Sequence, residues 1–346
     1  LSPVAFCIPG DIGLPTGGYR YDREVLARLP QWGVPCAHIR LDGGFPFPSS
    51  AALAETELML QAISERTLLL IDGLALGAMP PAMIDRLPHR VVALVHHPLG
   101  LETGLDPDRA KAMLSNEKAV LARMRHVIVT SDSTKRYLMA EFALKERAIT
   151  VAEPGTARAE RSSGTGDPIR ILAVGTISPR KAYNILIEAL APLAMLDWHL
   201  TIAGSLTLVP DAADALVEAI NRNGLSHRVT LAGVMSDKDL SALYAKADLF
   251  AMASLFEGYG MALTEALAHG LPIVSSAGGA AAETLPDAAA LKVPAGDVAA
   301  LSEALERVIT DKALRRRMAD ASWAAAALLP TWDDTAREIA DVLKSI

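Results

Sequence analysis

Ser254-Leu-Phe-Glu257-Gly-Tyr-Gly-Met-Ala-Leu-Thr-Glu265-Ala-Leu-Ala-His-Gly270-Leu-Pro272 sets two glutamates on either side of a glycine-bearing turn. The apolar run before it, Ala247-Asp-Leu-Phe-Ala-Met-Ala253, has the length and continuity of a buried strand. Met261 to His269 is rich in Ala and Leu and is stopped by Gly270 and Pro272, which predicts a helix. The order is therefore strand, loop, helix. Gly258 and Gly260 let backbone approach a ligand closely. Tyr259 and Met261 belong to the same turn, and the free N–H groups of the helix start favour an anion such as phosphate. Carboxylates repel phosphate, so Glu257 and Glu265 suit hydroxyl groups on the two sides of it.

Outward from this stretch, the same rhythm fills the chain. Its 346 residues suffice for two domains of ordinary size. With 51% hydrophobic and 21% charged residues the balance is that of a soluble globular protein. A formal net charge of −7 argues against nucleic acid as a partner. No apolar run approaches the roughly 18 residues of a spanning helix. Pro9-Gly10 interrupt the opening too soon for a secretion signal, so the expected location is cytoplasmic. The two cysteines, Cys7 and Cys36, fall in apolar segments of one expected sheet and make neither a zinc site nor a disulfide framework.

In the first half, Val4 to Ile8, Pro35 to Leu41, Thr67 to Ile71, Val91 to Val95, His126 to Thr130 and Ile149 to Ala152 read as strands, with helical segments between them. That alternation predicts parallel βαβ units with ligands at the carboxyl ends of the strands. A loop holding Gly17 and Gly18 follows the first strand, with a helix expected from Asp22. His96-His97-Pro98 ends the fourth strand. Asp106-Pro-Asp108 and Asp237-Lys-Asp239 have the form of a metal-binding pair but no strand to present them, so no metal is expected. Arg158 to Asp167 is polar and small, the composition of a flexible linker. The expected domains are therefore 1–160 and 168–330, with a closing helix in 331–346.

The second half opens with the strand Ile169 to Val174, then Arg180-Lys181 just before a helix. A planar fork beside a point charge suits a pyrophosphate. Trp198 to Ala203, Val229 to Ala232 and Pro272 to Ser275 read as further strands. Arg315-Arg-Arg317 reads as a solvated helix face, the other reading being contact with an anionic membrane surface at the inner face of the membrane.

Glu, seven residues, Glu, in the setting Phe-Glu-Gly-Tyr-Gly-Met…Glu-Ala-Leu-Ala-His-Gly-Leu-Pro, resembles the donor motif of the retaining glycosyltransferases of family 4. Gly17-Gly18, Val-His-His-Pro at His96 and Arg180-Lys181 resemble further motifs of that family. The resemblance implies an α/β GT-B fold, two Rossmann-like domains with parallel sheets facing across a cleft. The nucleotide would bind the second domain, the acceptor the first, and the last helix would cross back to the first. It also implies a UDP- or GDP-sugar donor and a glycan, lipid-linked or small-molecule acceptor, with no cofactor. Catalytic roles fall to His96, Arg180, Lys181 and Glu257. Gly17, Gly18, Arg180, Lys181, Gly258, Tyr259, Gly260, Met261 and Glu265 would bind the donor. Rival readings are a sugar-nucleotide epimerase, a phosphorylase with a pyridoxal-phosphate lysine, or a nucleotide-sugar-binding protein without turnover. A dehydrogenase is disfavoured, since no strand is followed by Gly-X-Gly-X-X-Gly.

Overall fold

The computed structural model describes residues 2–346. These form two compact units, the chain up to Gly155 together with Pro330–Ile346, and Thr156–Leu329.

The first unit runs β1 (Val4–Pro9), α1 (Gly17–Arg28), β2 (Cys36–Leu41), α2 (Ser50–Gln61), β3 (Leu68–Asp72), α3 (Gly73–Leu76), α4 (Pro81–Asp85), β4 (Val91–Val95), α5 (Pro107–Leu121), β5 (His126–Val129), α6 (Asp132–Glu141) and β6 (Ile149–Val151). Its six strands are parallel in the order β2-β1-β3-β4-β5-β6. The central strands are buried along their whole length, which is why they read as unbroken apolar runs and not as alternating ones. Cys7 and Cys36 sit on the neighbouring strands β1 and β2 as free thiols.

Helix α1 begins earlier than the sequence reading has it. Thr16 is its N-cap, the Thr16 hydroxyl accepting from the Tyr19 N–H, so Gly17 and Gly18 form its first turn instead of a loop. A glycine costs least at a helix start, where few intrahelical bonds depend on it. At the far end of α6, Ala143 holds a left-handed φ of 58° and is exposed. That geometry costs a non-glycine residue about 1–2 kcal/mol. Ala143→Gly is expected to stabilise the unit by about 0.5–1 kcal/mol after glycine's own entropy loss, read as a higher urea midpoint at unchanged slope.

The second unit runs β7 (Ile169–Val174), α7 (Tyr183–Leu190), β8 (Trp198–Ala203), α8 (Pro210–Arg222), β9 (Val229–Gly233), α9 (Asp237–Lys246), β10 (Leu249–Met252), α10 (Met261–Ala268), β11 (Ile273–Ser276), α11 (Ala281–Thr284), β12 (Ala290–Val293), α12 (Val298–Thr310) and α13 (Lys312–Ala326). Its sheet is again parallel, in the order β12-β11-β10-β7-β8-β9. Strand β12 escapes the sequence reading. It has four residues with Lys292 among them, at the sheet edge, where a charge protects against further pairing. Helix α14 (Trp332–Ser345) returns to the first unit, where it lies against α1 and sets Trp332 edge-on to Tyr21 at 5.8 Å.

Two sequence expectations need correcting. The 158–167 stretch is irregular but is no free linker. Ser162 N–H donates to His269 O, Ser163 N–H to Ala245 O and Gly166 N–H to Asp248 Oδ1, so backbone bonds strap it to the second unit. Arg315 is not simply solvated. Its guanidinium donates to Val308 O and Ile309 O and closes the end of α12. The paired aspartates serve helix starts, with Asp106 capping α5 and Asp239 bonded to the Ser236 hydroxyl at the start of α9. Among the described residues no helix is long and apolar enough to cross a membrane.

Candidate active site

The sheet order explains what meets in the second unit. Strands β7 and β10 are neighbours, and each opens a different half of the sheet, so their carboxyl ends form the switch point at which parallel sheets bind ligands. The loop after β7 carries Arg180 and Lys181, and the loop after β10 carries Glu257. Residues 76 positions apart thereby come into direct contact.

Lys181 Nζ donates to Glu257 Oε1 at 2.7 Å, and Arg180 Nη1 lies 3.4 Å from Glu257 Oε2. The same Arg180 nitrogen donates to Phe256 O at 2.7 Å, and Leu255 N–H donates to Arg180 O at 2.8 Å, which fixes one loop to the other. The Glu257 side chain is only 7% exposed. Burial alone would raise its pKa, but the Lys181 and Arg180 charges outweigh burial and bring it down to about 2. Two cations thus face one carboxylate in a largely buried place.

Backbone contacts aim Glu257. Its N–H donates to Gly278 O and its C=O accepts from Ala280 N–H, pairing Glu257 with Gly279 as a short parallel bridge. Gly279 has a φ of 63°, and a Cβ there would fall 2.3 Å from Glu257 O. Gly260, at a φ of 99°, turns the chain into α10 with no side-chain cap, so the N–H groups of Met261 and Ala262 are left to other acceptors, while those of Leu263 and Thr264 donate to Gly260 O. Tyr259 is buried, its carbonyl accepting from the Thr284 hydroxyl. Glu265 is on α10, where the Tyr244 hydroxyl donates to its Oε2 at 3.0 Å. Tyr244 itself stacks on His269 with centroids 5.0 Å apart. Nothing in the spacing of α9 marks Tyr244 as a partner of Glu265. Only the packing of α9 on α10 brings it there.

In the first unit, His96 follows β4, and its Nε2 lies 3.3 Å from both Asp22 Oδ1 and Asp72 Oδ2. Asp22 comes from α1 and Asp72 from the end of β3, again at the switch point of the sheet. Neither aspartate was singled out from the sequence. The signal available was that Asp72, like His96, ends a buried strand. Both carboxylates are almost wholly buried. Burial and Asp72 raise the pKa of Asp22. Burial would lower that of His96, but Asp22 and Asp72 overcome it and push it up to about 10. Gly18 lies over this ring, so that a Cβ there would be 3.6 Å from His96 Cδ2. His97 points elsewhere, its Nε2 being 3.2 Å from Glu102 Oε2.

Residues 157–323 match the family described as glycosyl transferases group 1. The match lies within the second unit. Its matched region contains the whole Arg180–Lys181–Glu257 cluster together with Glu265. The D-inositol 3-phosphate glycosyltransferase of Nocardia farcinica is 29% identical over 220 residues, 58% of this chain and 49% of that protein. This chain spans about half the length of the curated relatives that it matches there. Sucrose-phosphate synthase from Thermosynechococcus elongatus has a TM-score of 0.85 at 20% identity, over 100% of this chain and 99% of that one. Anabaena Alr3699/HepE in complex with UDP-glucose has a TM-score of 0.78 at 18% identity, over 99% and 100%. These likenesses outside the group 1 match are likenesses of fold, and the fold is GT-B.

Proposed function

We propose that this chain transfers a sugar from a nucleoside-diphosphate sugar to an acceptor hydroxyl, with retention at the anomeric carbon and without a metal. The observation that carries the reading is the Arg180–Lys181–Glu257 cluster at the start of α10, inside the group 1 domain. In the proposed step the bond from the anomeric carbon to the diphosphate oxygen breaks. The acceptor oxygen bonds to that carbon on the same face, and the acceptor proton passes to the departing diphosphate. Negative charge then grows on the diphosphate. Arg180, Lys181 and the N–H groups from Gly258 to Met261 are the fixed donors that stabilise it, at about 2.7–4 kcal/mol for one well-placed donor.

Glu257 is assigned to the sugar hydroxyls and Glu265 to the ribose hydroxyls. His96 and the Gly17-Gly18 turn join by the sequence resemblance. UDP-glucose in the Anabaena structure supports a uridine donor as the first to try. A glycan, a lipid-linked sugar and a small polyol are the acceptor classes to screen.

The test is a melting-temperature screen against UDP, GDP and ADP, followed by the matching sugar nucleotides with and without acceptors. A nucleotide present at about 100 times its Kd stabilises the native state by about 2.7 kcal/mol, so one diphosphate is expected to stand out. Product formed only with acceptor, and keeping the donor's anomeric configuration by proton NMR, supports the reading. Conversion of donor without acceptor makes the protein an epimerase, and binding without conversion makes it a sensor.

A further inference from the structure

The pair of buried carboxylates behind His96 goes beyond the resemblance that singled the histidine out. We propose that Asp22 and Asp72 are positioning residues that hold His96 as a permanent imidazolium, so that it acts as a fixed charged donor and not as a base. The proposal rests on the reading above only in naming the sugar as the group that His96 meets.

Geometry carries it. Nε2 is the buried end of the ring and lies 3.3 Å from a carboxylate oxygen on each side, within ion-pair distance of both although neither contact has regular hydrogen-bond geometry. A bare lone pair there would face two acceptors, so Nε2 carries the proton. Asp22 is fully buried and neither of its oxygens accepts a regular hydrogen bond, which leaves the imidazole as its counter-charge among the described residues. An unpaired buried carboxylate is costly, and a charged ring beside it lowers that cost. The second proton then belongs on Nδ1, the other ring nitrogen. Gly18 covers the Cδ2–Nε2 edge, and the Tyr21 ring meets the imidazole edge-on at 5.2 Å. The 21% exposure of the His96 side chain is therefore left to the rest of the ring, where Nδ1 sits. Just after β5 the neighbour is Thr130, whose hydroxyl donates to His96 O and fixes the backbone without adding charge. The charged groups facing the ring are thus Asp22 from α1 and Asp72 from β3, with His97 turned to Glu102. A ring held this way offers an N–H at neutral and mildly alkaline pH and has no lone pair with which to take an acceptor's proton.

Nitrogen-15 NMR of the histidine side chains in the whole protein, without substrate, tests this between pH 5 and 9, with His96→Gln assigning the signal. The expected wild-type result is two protonated nitrogens throughout. Asp22→Asn and Asp72→Asn should each bring back a neutral ring within that range, with folding checked by circular dichroism. Asn at 72 still caps α3 as Asp72 does through the Leu74 N–H. In the transferase assay, wild-type kcat/KM should show no step near pH 6.5, the ordinary histidine value. Asp22→Asn should show a fall as pH rises through the returned titration. A wild-type ring that titrates near its ordinary value overturns the proposal. So does an imidazolium that survives both substitutions, or a divalent metal ion bound stoichiometrically to the wild type and lost in Asp22→Asn. The ring signal needs no turnover, so a protein that transfers no sugar yet holds the imidazolium refutes only the function. An active transferase with an ordinary histidine refutes only the clamp.

Discussion

Lys181→Ala is expected to lower the turnover of sugar transfer by about 10²- to 10³-fold, while the protein still folds at neutral pH. Lys181 Nζ rests on Glu257 Oε1 at 2.7 Å, on a side chain 11% exposed. A diphosphate arriving beside it would meet a cation already placed and already stripped of most of its water. Such a donor acts where charge grows, so its loss should appear in kcat more than in KM. Removing one partner of a buried ion pair also destabilises, by about 3–5 kcal/mol when nothing else answers the remaining charge. Here Arg180 remains 3.4 Å from Glu257, so the loss should be smaller.

Acid titration separates the two effects. The folded pKa of Glu257 is brought down to about 2, so its contribution is present above its unfolded value near 4.5 and is lost as pH falls toward 2. That hold is worth on the order of 3 kcal/mol. Wild-type melting temperature should fall across that window more steeply than that of Glu257→Gln, and Lys181→Ala should lie between them. Rates within about threefold of wild type for Lys181→Ala, in a protein that melts normally at pH 7, would refute the assignment of the diphosphate to this cluster.

How much of this was readable without coordinates depends on the kind of residue. Arg180, Lys181 and Glu257 stand in loops directly after buried strands, and parallel sheets gather such loops at one edge whatever the register. Their types, spacing and flanking glycines therefore sufficed to mark them. Asp22 and Asp72 were hidden because their importance lies in burial and in facing His96. Asp72 stands just past an apolar strand and Asp22 where a helix is expected to begin, positions at which an acid is ordinary. The 158–167 strap was misread for a related reason. Small polar residues describe a chain that can be flexible, but its backbone bonds to Ala245 and His269 depend on where those carbonyls fall in the fold. Strand β12 was lost to length, since four residues with a central lysine give too short a pattern to count.

Gly279→Ala should be the most damaging single methyl group in the second unit's site. The position combines two independent demands. Its φ of 63° is left-handed, which costs a residue with a Cβ about 1–2 kcal/mol. In addition, the new Cβ would lie 2.3 Å from Glu257 O and 3.0 Å from Glu257 N, both backbone atoms that no rotamer change can move aside. Relief requires the bridge between residues 257 and 279 to open, which gives up the Ala280 N–H bond to Glu257 O and the Glu257 N–H bond to Gly278 O. The carboxylate would then leave Lys181, and the anion site would lose its geometry along with its stability. A fall of at least about 2 kcal/mol is expected, seen as a melting temperature lower by on the order of 5–10 °C for a unit of this size. The stabilisation by nucleoside diphosphate should disappear with it. Gly224→Ala is the matched control, because it has a similar φ of 68° but no atom within 4 Å of the added Cβ. It should show the conformational cost alone and keep nucleotide binding. Equal losses at the two positions would mean that backbone strain accounts for everything and that the 257–279 bridge does not hold the site.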